Sequence, residues 1–413
     1  MTAGIPRGNV KNVDSPTRAK TQLISLLLLS LVLRMAWGLS QKGEPDPSLG
    51  DQFEYLQLGR NLLSNGQLRF HDERFEQWVY AYRTPGYPLL IAACGGNVRA
   101  VRVVQAVIDT STVLAIYLLA RRFLTSSGAL VAVGLVSVNP FLIYFSGLIL
   151  SETLFTAMLA WGMYLLVRQR TLALSAGVMV LALSALVRPS ALGLAVLLPV
   201  AAAWSNGWRT IARNGLLALL AILLVLAPWA YRNAHHPQVR AWIWTTTNSG
   251  ITTYDGFHDR ATGASDQRQF LREMRTLLSR MDEVERDAYL SQQAHEWVRA
   301  HPAQSLKLMG IKILRTWSPV PLSNEYGSSR LYVAVGLCYG IPFDILMLLG
   351  LWKGMLPRTA KVLLLLPAIY FTGIHASSVG SLRYRIPFEP PMAVIAGSWA
   401  LCARNRSHGS SRC

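Results

Sequence analysis

Charge is scarce in this chain, and acids are scarcest. Only 15% of its 413 residues are charged, and just 22 are acidic against 40 lysines and arginines. A soluble domain ordinarily carries about 25% charged residues, so an ordinary water-facing surface is excluded for most of the length. Cysteine is sparse as well. Cys94, Cys338, Cys402 and Cys413 form neither a metal-ligating spacing nor a disulfide framework. Cys-x-x-Cys and His-Glu-x-x-His are both missing, which removes the commonest zinc and redox motifs. No internal repeat and no low-complexity tract interrupts the chain. What is plentiful is apolar surface: 52% of residues are hydrophobic and the mean hydropathy is +0.29.

Those apolar runs predict an all-α polytopic membrane protein, a bundle of about ten transmembrane helices with two larger extracytoplasmic loops. The runs fall at 21–39, 101–120, 128–147, 153–167, 172–187, 190–205, 214–231, 331–351, 361–376 and 387–403. Arg34 interrupts the first run and no small-x-small site follows it, so it reads as an uncleaved anchor. With the N-terminus inside, the cytoplasmic pieces hold 16 cations and one acid, Asp14, which accounts for +15 of the net +18. That is the positive-inside rule, a topology signal rather than a nucleic-acid surface. The chain is therefore expected to cross a plasma (inner) membrane many times, with both termini cytoplasmic. Residues 1–20 and 404–413 would be tails. Spans two to seven would fill 101–231, and spans eight to ten 331–403.

Two segments are too polar to be membrane, 40–100 and 232–330. In the first, Asp51 to Leu63 places Tyr55, Leu58, Leu62 and Leu63 on one side of a helix that would lie along the membrane surface. Pro88 to Cys94 is apolar but too short to span. In the second, a charged helical stretch runs from Asp266 to Ala300, and Leu306 to Leu314 is amphipathic. Trp242, Trp244 and Trp317 fit an interfacial aromatic belt.

The charges at outer span ends carry the candidate chemistry. Asp51 could accept the proton of an acceptor hydroxyl, or cap the helix that follows it. Glu152 after Ser151 could line a cavity or cap a helix start. Arg83, Arg188, Arg383 and Arg385 sit where short outer turns ordinarily avoid arginine, and guanidinium groups match phosphate geometry. Snorkelling to lipid headgroups is the plainer alternative. Asp109 and Asp344 are buried by depth, and Asp109 reads as half of a structural pair. His258 and His295 are single loop histidines that read as solvated.

Taken in order, these motifs resemble the polytopic GT-C-fold glycosyltransferases that use polyprenyl-phosphate sugars. That group includes bacterial relatives of dolichyl-phosphate-mannose–protein mannosyltransferases and the lipid A aminoarabinose transferases. The matching residues are Asp51-Gln52-Phe53-Glu54-Tyr55 with Gly59, Leu62 and Gly66, then Arg83-Thr84-Pro85-Gly86-Tyr87. Arg121-Arg122, Ser151-Glu152, Arg188-Pro189 and Arg383-Tyr384-Arg385-Ile386-Pro387 follow. The resemblance implies Asp51 as general base, with Arg83, Arg188, Arg383 and Arg385 on the donor phosphate. It implies Tyr55, Tyr87, Glu54, Glu152 and Tyr384 around the cavity. Its partners would be a polyprenyl-phosphate-linked sugar donor, membrane lipid and an extracytoplasmic acceptor, with no nucleic acid. It implies no certain cofactor: a divalent metal goes with an acidic pair in some relatives, and Gln52 breaks that pair here.

Three rival classes differ in what they require. A transporter or flippase calls for mid-membrane charges and symmetric halves, and the polar residues instead sit in the outer segments. A polymerase or ligase of lipid-linked oligosaccharides shares the arginines and outer loops, and stays open at this stage. A scaffold would need none of these arginines.

Overall fold

The computed structural model describes residues 16–41, 43–45, 50–168, 170–322 and 329–407. Most of the two expected tails, with Asp14 and Cys413, lies outside the described residues.

Each of the ten apolar runs is helical. The first is α1 (Pro16–Ser40). After it come α2 (Asp51–Asn65) and α3 (Gly86–Ala93), outside the bundle, and then α4 (Val98–Ala120). The pair α5 (Ser126–Ser137) and α6 (Pro140–Ser146) is followed by α7 (Glu152–Leu166), α8 (Thr171–Ser184), α9 (Leu192–Ala202) and α10 (Trp208–His235). Four further outer helices are α11 (Ser249–Gly256), α12 (Gln267–Leu278), α13 (Glu283–Ala300) and α14 (Pro302–Thr316). The bundle closes with α15 (Arg330–Lys353), α16 (Arg358–Ala376) and α17 (Glu389–Ser407). Among the described residues, five helices are each long and apolar enough to cross a membrane: α1, α4, α10, α15 and α16. The α5–α6 pair, bent by 51°, is a sixth if it is taken as one broken span rather than a re-entrant loop. Helices α8 and α9, at 14 and 11 residues, are shorter than the predicted spans 172–187 and 190–205, and α7, at 15, has the length predicted for 153–167. A lone crossing helix needs about 20 residues, and these three are packed among neighbours instead. The central element is α17, which lies against α5, α15 and α16, with Met392 to Ile395 fully buried.

The bend has a local cause and a long-range remedy. Pro140 supplies no N–H to the helical ladder, and the Asn139 side chain caps α6 by accepting from the Phe141 and Leu142 N–H groups at 2.9 and 3.1 Å. Arg34, inside the first span, takes the carbonyls beside the break. It donates to Val136 O at 3.1 Å and Ser137 O at 2.9 Å, and its Nε reaches Asp109 Oδ2 at 2.5 Å. Both charges are sealed, at 0% and 1% exposure. Arg34→Leu leaves Asp109 unpaired in the bundle and is expected to cost about 3–5 kcal/mol. Thermal unfolding in detergent should show the loss, and adding Asp109→Leu should recover most of it.

The two outer segments fold as one unit. Leu58, Phe70, Phe75, Val79 and Tyr82 from the first share a core with Ile251, Phe270, Leu278 and Leu290 from the second. A small hairpin, β1 (Phe70–Asp72) against β2 (Gln77–Val79), pairs Phe70 with Val79. No strand was expected from the sequence. The charged stretch 266–300 divides in two because Asp282 starts α13 with a capping box, exchanging bonds with Glu285. Pro302 then opens α14, where its missing N–H is not needed. This unit grips the connection between α16 and α17 through glycine. A Cβ on Gly256 would lie 1.8 Å from Ser378 O, and one on Gly380 2.5 Å from the Lys312 backbone. Burial among these segments pushes the Lys312 amine down to about 7, against the opposing pull of Asp255. The connection so held carries Arg383 in a 3₁₀ turn, Leu382–Phe388.

Candidate active site

Asp51 is the first residue of α2, and Gly50, at φ +37°, precedes it without any side-chain cap. Gly50, not Asp51, holds the capping position, and both Asp51 oxygens accept from arginines instead. Glu54, three residues on, shares its helix face. Arg83 comes from the turn before α3, Glu152 from the start of α7, Arg188 from the connection between α8 and α9, and Arg383 from the 3₁₀ turn. Ser151 makes no capping bond either, leaving Glu152 available.

These side chains join in one alternating line. Arg74 holds Asp72 at 2.8 Å and Glu54 at 3.3 Å. Arg83 Nη2 is 2.5 Å from both Glu54 Oε2 and Asp51 Oδ1. Arg383 Nη1 takes the other Asp51 oxygen at 2.6 Å, and its Nε donates to Glu152 Oε1. Arg188 Nη1 meets the same Glu152 oxygen at 2.7 Å. Four acids and four arginines alternate, so the line carries no net charge. It is most open at Asp51, 33% exposed, less so at Arg383 and Arg74, both 26%, and closed at Glu152, 0%. Burial pushes the acidity constant of Asp51 upward. The Arg83 and Arg383 charges and their hydrogen bonds outweigh that, and hold its carboxyl well below the usual carboxylate range.

The remaining expected residues take different places. Tyr55 lies beside the Arg83 guanidinium, 5.3 Å from ring centre to Cζ, and touches Ser151 Oγ at 3.5 Å. Tyr87 is fully buried behind Tyr55 and donates to Gln105 Oε1 at 2.5 Å, so it braces the site from the bundle side. Tyr384 stacks on His375. Arg385 does not join the line. It is 1% exposed and engaged by Asp344 at 2.5 Å and Glu389 at 2.6 Å. Asp72, Arg74 and His375 were not anticipated. The first two lie in the hairpin, and the segment His71-Asp72-Glu73-Arg74 looks like a solvated loop until Phe70 and Val79 are known to pair.

A metal does not fit these donors. Both oxygens of Asp51 and both of Glu54 accept from arginines, and Gln52 Oε1 accepts from the Ile149 N–H at 2.9 Å. Among the described residues no group of three His, Cys, Asp or Glu side chains is placed to hold a metal ion.

The helical membrane bundle has the GT-C fold. Solved structures bear out the fold. The archaeal oligosaccharyltransferase AglB from Archaeoglobus fulgidus, in complex with an inhibitory peptide and a dolichol-phosphate, aligns at a TM-score of 0.57 and 12% identity, over 96% of this chain and 52% of that one. The Archaeoglobus fulgidus oligosaccharyltransferase tethered to an acceptor peptide aligns at 0.58 and 13% identity, over 95% and 50%. The chain thus spans about half the length of these proteins. ArnT from Cupriavidus metallidurans, bound to undecaprenyl phosphate, aligns at 0.40 and 14% identity over 95% and 79%, too low to carry the fold assignment. At the sequence level, residues 87–231 match the family model described as dolichyl-phosphate-mannose-protein mannosyltransferase, in keeping with the resemblance noted above. No curated protein matches the chain at a significant level.

Proposed function

We propose that this protein transfers a single sugar from a polyprenyl-phosphate carrier to a hydroxyl of an extracytoplasmic acceptor, whether lipid, glycan or protein, in the plasma (inner) membrane. One observation carries the reading: Asp51 is clamped between Arg83 and Arg383 at the exposed point of the alternating line. An arginine pair closed on a carboxylate is a seat for a phosphate, which offers the same geometry with more oxygens. A donor phosphodiester entering there takes the guanidiniums for itself. Asp51, relieved of both, regains the basicity that the clamp suppresses. It then accepts the proton of the acceptor hydroxyl, whose oxygen bonds to the anomeric carbon. The bond from that carbon to the phosphate oxygen breaks, and the electron pair leaves with the lipid phosphate. Arg83 and Arg383, with Arg188 behind them, stabilise the charge that develops there. Arg385 stays a bundle anchor in this reading, and the outer segment 232–330 covers the donor and shapes acceptor choice.

The test is release of polyprenyl phosphate by the purified chain in lipid nanodiscs, across a panel of polyprenyl-phosphate monosaccharides with lipid, glycan and peptide acceptors. Transfer from a monosaccharide donor is expected. Transfer from lipid-linked oligosaccharides alone would replace single-sugar transfer with the polymerase or ligase chemistry, and no transfer from either would defeat both.

A further inference from the structure

His375 ends α16 beside the arginine line, and nothing in the proposed chemistry uses it. Its ring lies flat on Tyr384, 3.6 Å between centroids and 5° between planes. Phe371 stacks one turn below at 5.9 Å and 19°, and Phe155 and Phe388 pack around Phe371. The Arg188 guanidinium stands near both Tyr384 and Phe155, at 5.8 and 6.0 Å from the ring centres. His375 is thus one ring in an aromatic column that is otherwise phenylalanine and tyrosine. What distinguishes it from phenylalanine is nitrogen, and its Nδ1 is buried without a hydrogen-bond partner. A sealed, unpartnered polar atom costs stability and calls for an explanation. A phenylalanine would stack as well and carry no such cost.

The chain neighbours supply the explanation. Tyr384, which covers His375, directly follows Arg383, the arginine that bridges Asp51 and Glu152. Tyr384 covers the face of the imidazole, and Nδ1 lies in the ring plane; a phosphate that draws Arg383 off its carboxylates would shift Tyr384, loosen the stack and let the ring turn Nδ1 toward the bound group. We infer that Nδ1 of His375 is a hydrogen-bonding group reserved for an oxygen of the bound donor, on its phosphate or its sugar, an inference that rests on the donor chemistry proposed above. The closed state carries the unpartnered nitrogen because the donor-bound state uses it, the trade of stability for function seen at binding sites.

The test is His375→Phe in the full chain in nanodiscs, read by melting temperature and by affinity for two probes, undecaprenyl phosphate and the best monosaccharide donor of the panel. Without ligand the variant should melt at or above wild type, because the stack remains and the unpartnered atom is gone. Its affinity for the donor should fall about tenfold. Loss toward both probes assigns the nitrogen to a phosphate oxygen, and loss toward the sugar-bearing probe alone assigns it to a sugar hydroxyl. A variant that binds both as well as wild type does overturns the role of His375 and leaves the donor reading intact. A variant that melts lower or fails to fold overturns it too, since the nitrogen would then be holding the fold together. Wild type that binds neither probe overturns the donor reading and this inference with it.

Discussion

Asp51→Asn should lower the turnover of sugar transfer by about 10²–10⁴-fold, the range of a lost general base, while donor binding tightens. The two effects come from the same two ion pairs. In the wild type, a phosphate must compete with Asp51 for Arg83 and Arg383, which hold it at 2.5 and 2.6 Å. The amide keeps the shape but gives up the charge. Arg83 retains Glu54 and Arg383 retains Glu152, so both arginines stay in place and accept the phosphate more readily. Polyprenyl phosphate binding and single-turnover transfer, measured side by side, separate the two. Unchanged turnover would remove Asp51 as base; unchanged affinity would mean that the phosphate does not displace it. The pH profile adds a third reading. The base works only when ionised, above its acidity constant. The acid limb of kcat/KM reports the free protein, where the clamp holds Asp51 well below the usual range. The acid limb of kcat reports the donor complex and should lie at higher pH, because the arginines are then occupied by phosphate.

Much of this was legible in the sequence, for identifiable reasons. An apolar run must be helical in a membrane because lipid satisfies no backbone group, so all ten runs land on helices. Glu152, Arg188 and Arg383 stand at the ends of such runs, Asp51 and Arg83 in the polar segment between the first two, and the positive-inside rule made outer arginines conspicuous. What the sequence could not show is who meets whom. Arg34 looked like a flaw in the first span, since its partners Asp109, Val136 and Ser137 lie over 70 residues away. Asp72 and Arg74 depended on a hairpin of three residues a side, too short to show a period. The Arg383-Tyr384-Arg385 motif presents two arginines as equals. Their segment is a 3₁₀ turn, with three residues per turn, so positions two apart point about 240° from each other. One arginine faces the outer cluster and the other the bundle.

That divergence sets up the second large effect. Arg383→Gln should reduce kcat/KM about 10²–10³-fold, the usual loss when a charge-stabilising donor is removed from a reacting group, with little change in melting temperature. Arg383 is 26% exposed, and the acids it leaves each keep another arginine: Asp51 keeps Arg83, and Glu152 keeps Arg188. Arg383→Lys should not restore activity, because one ammonium cannot span Asp51 and Glu152, nor fork onto a phosphate. Arg385→Gln should behave in the opposite way. It strands Glu389, 1% exposed, with only the Asn139 amide, and releases Asp344, so about 3–5 kcal/mol of stability should go and activity should fall only as the folded fraction falls. Melting curves and transfer rates on the same preparations decide between the two positions. If Arg385→Gln were inactive yet fully stable, the phosphate seat would have to extend into the bundle, and the alternating line from Asp72 to Arg188 would be only its outer rim. If Arg383→Gln were stable and fully active, the line would be a structural clasp, and the reacting centre would lie elsewhere.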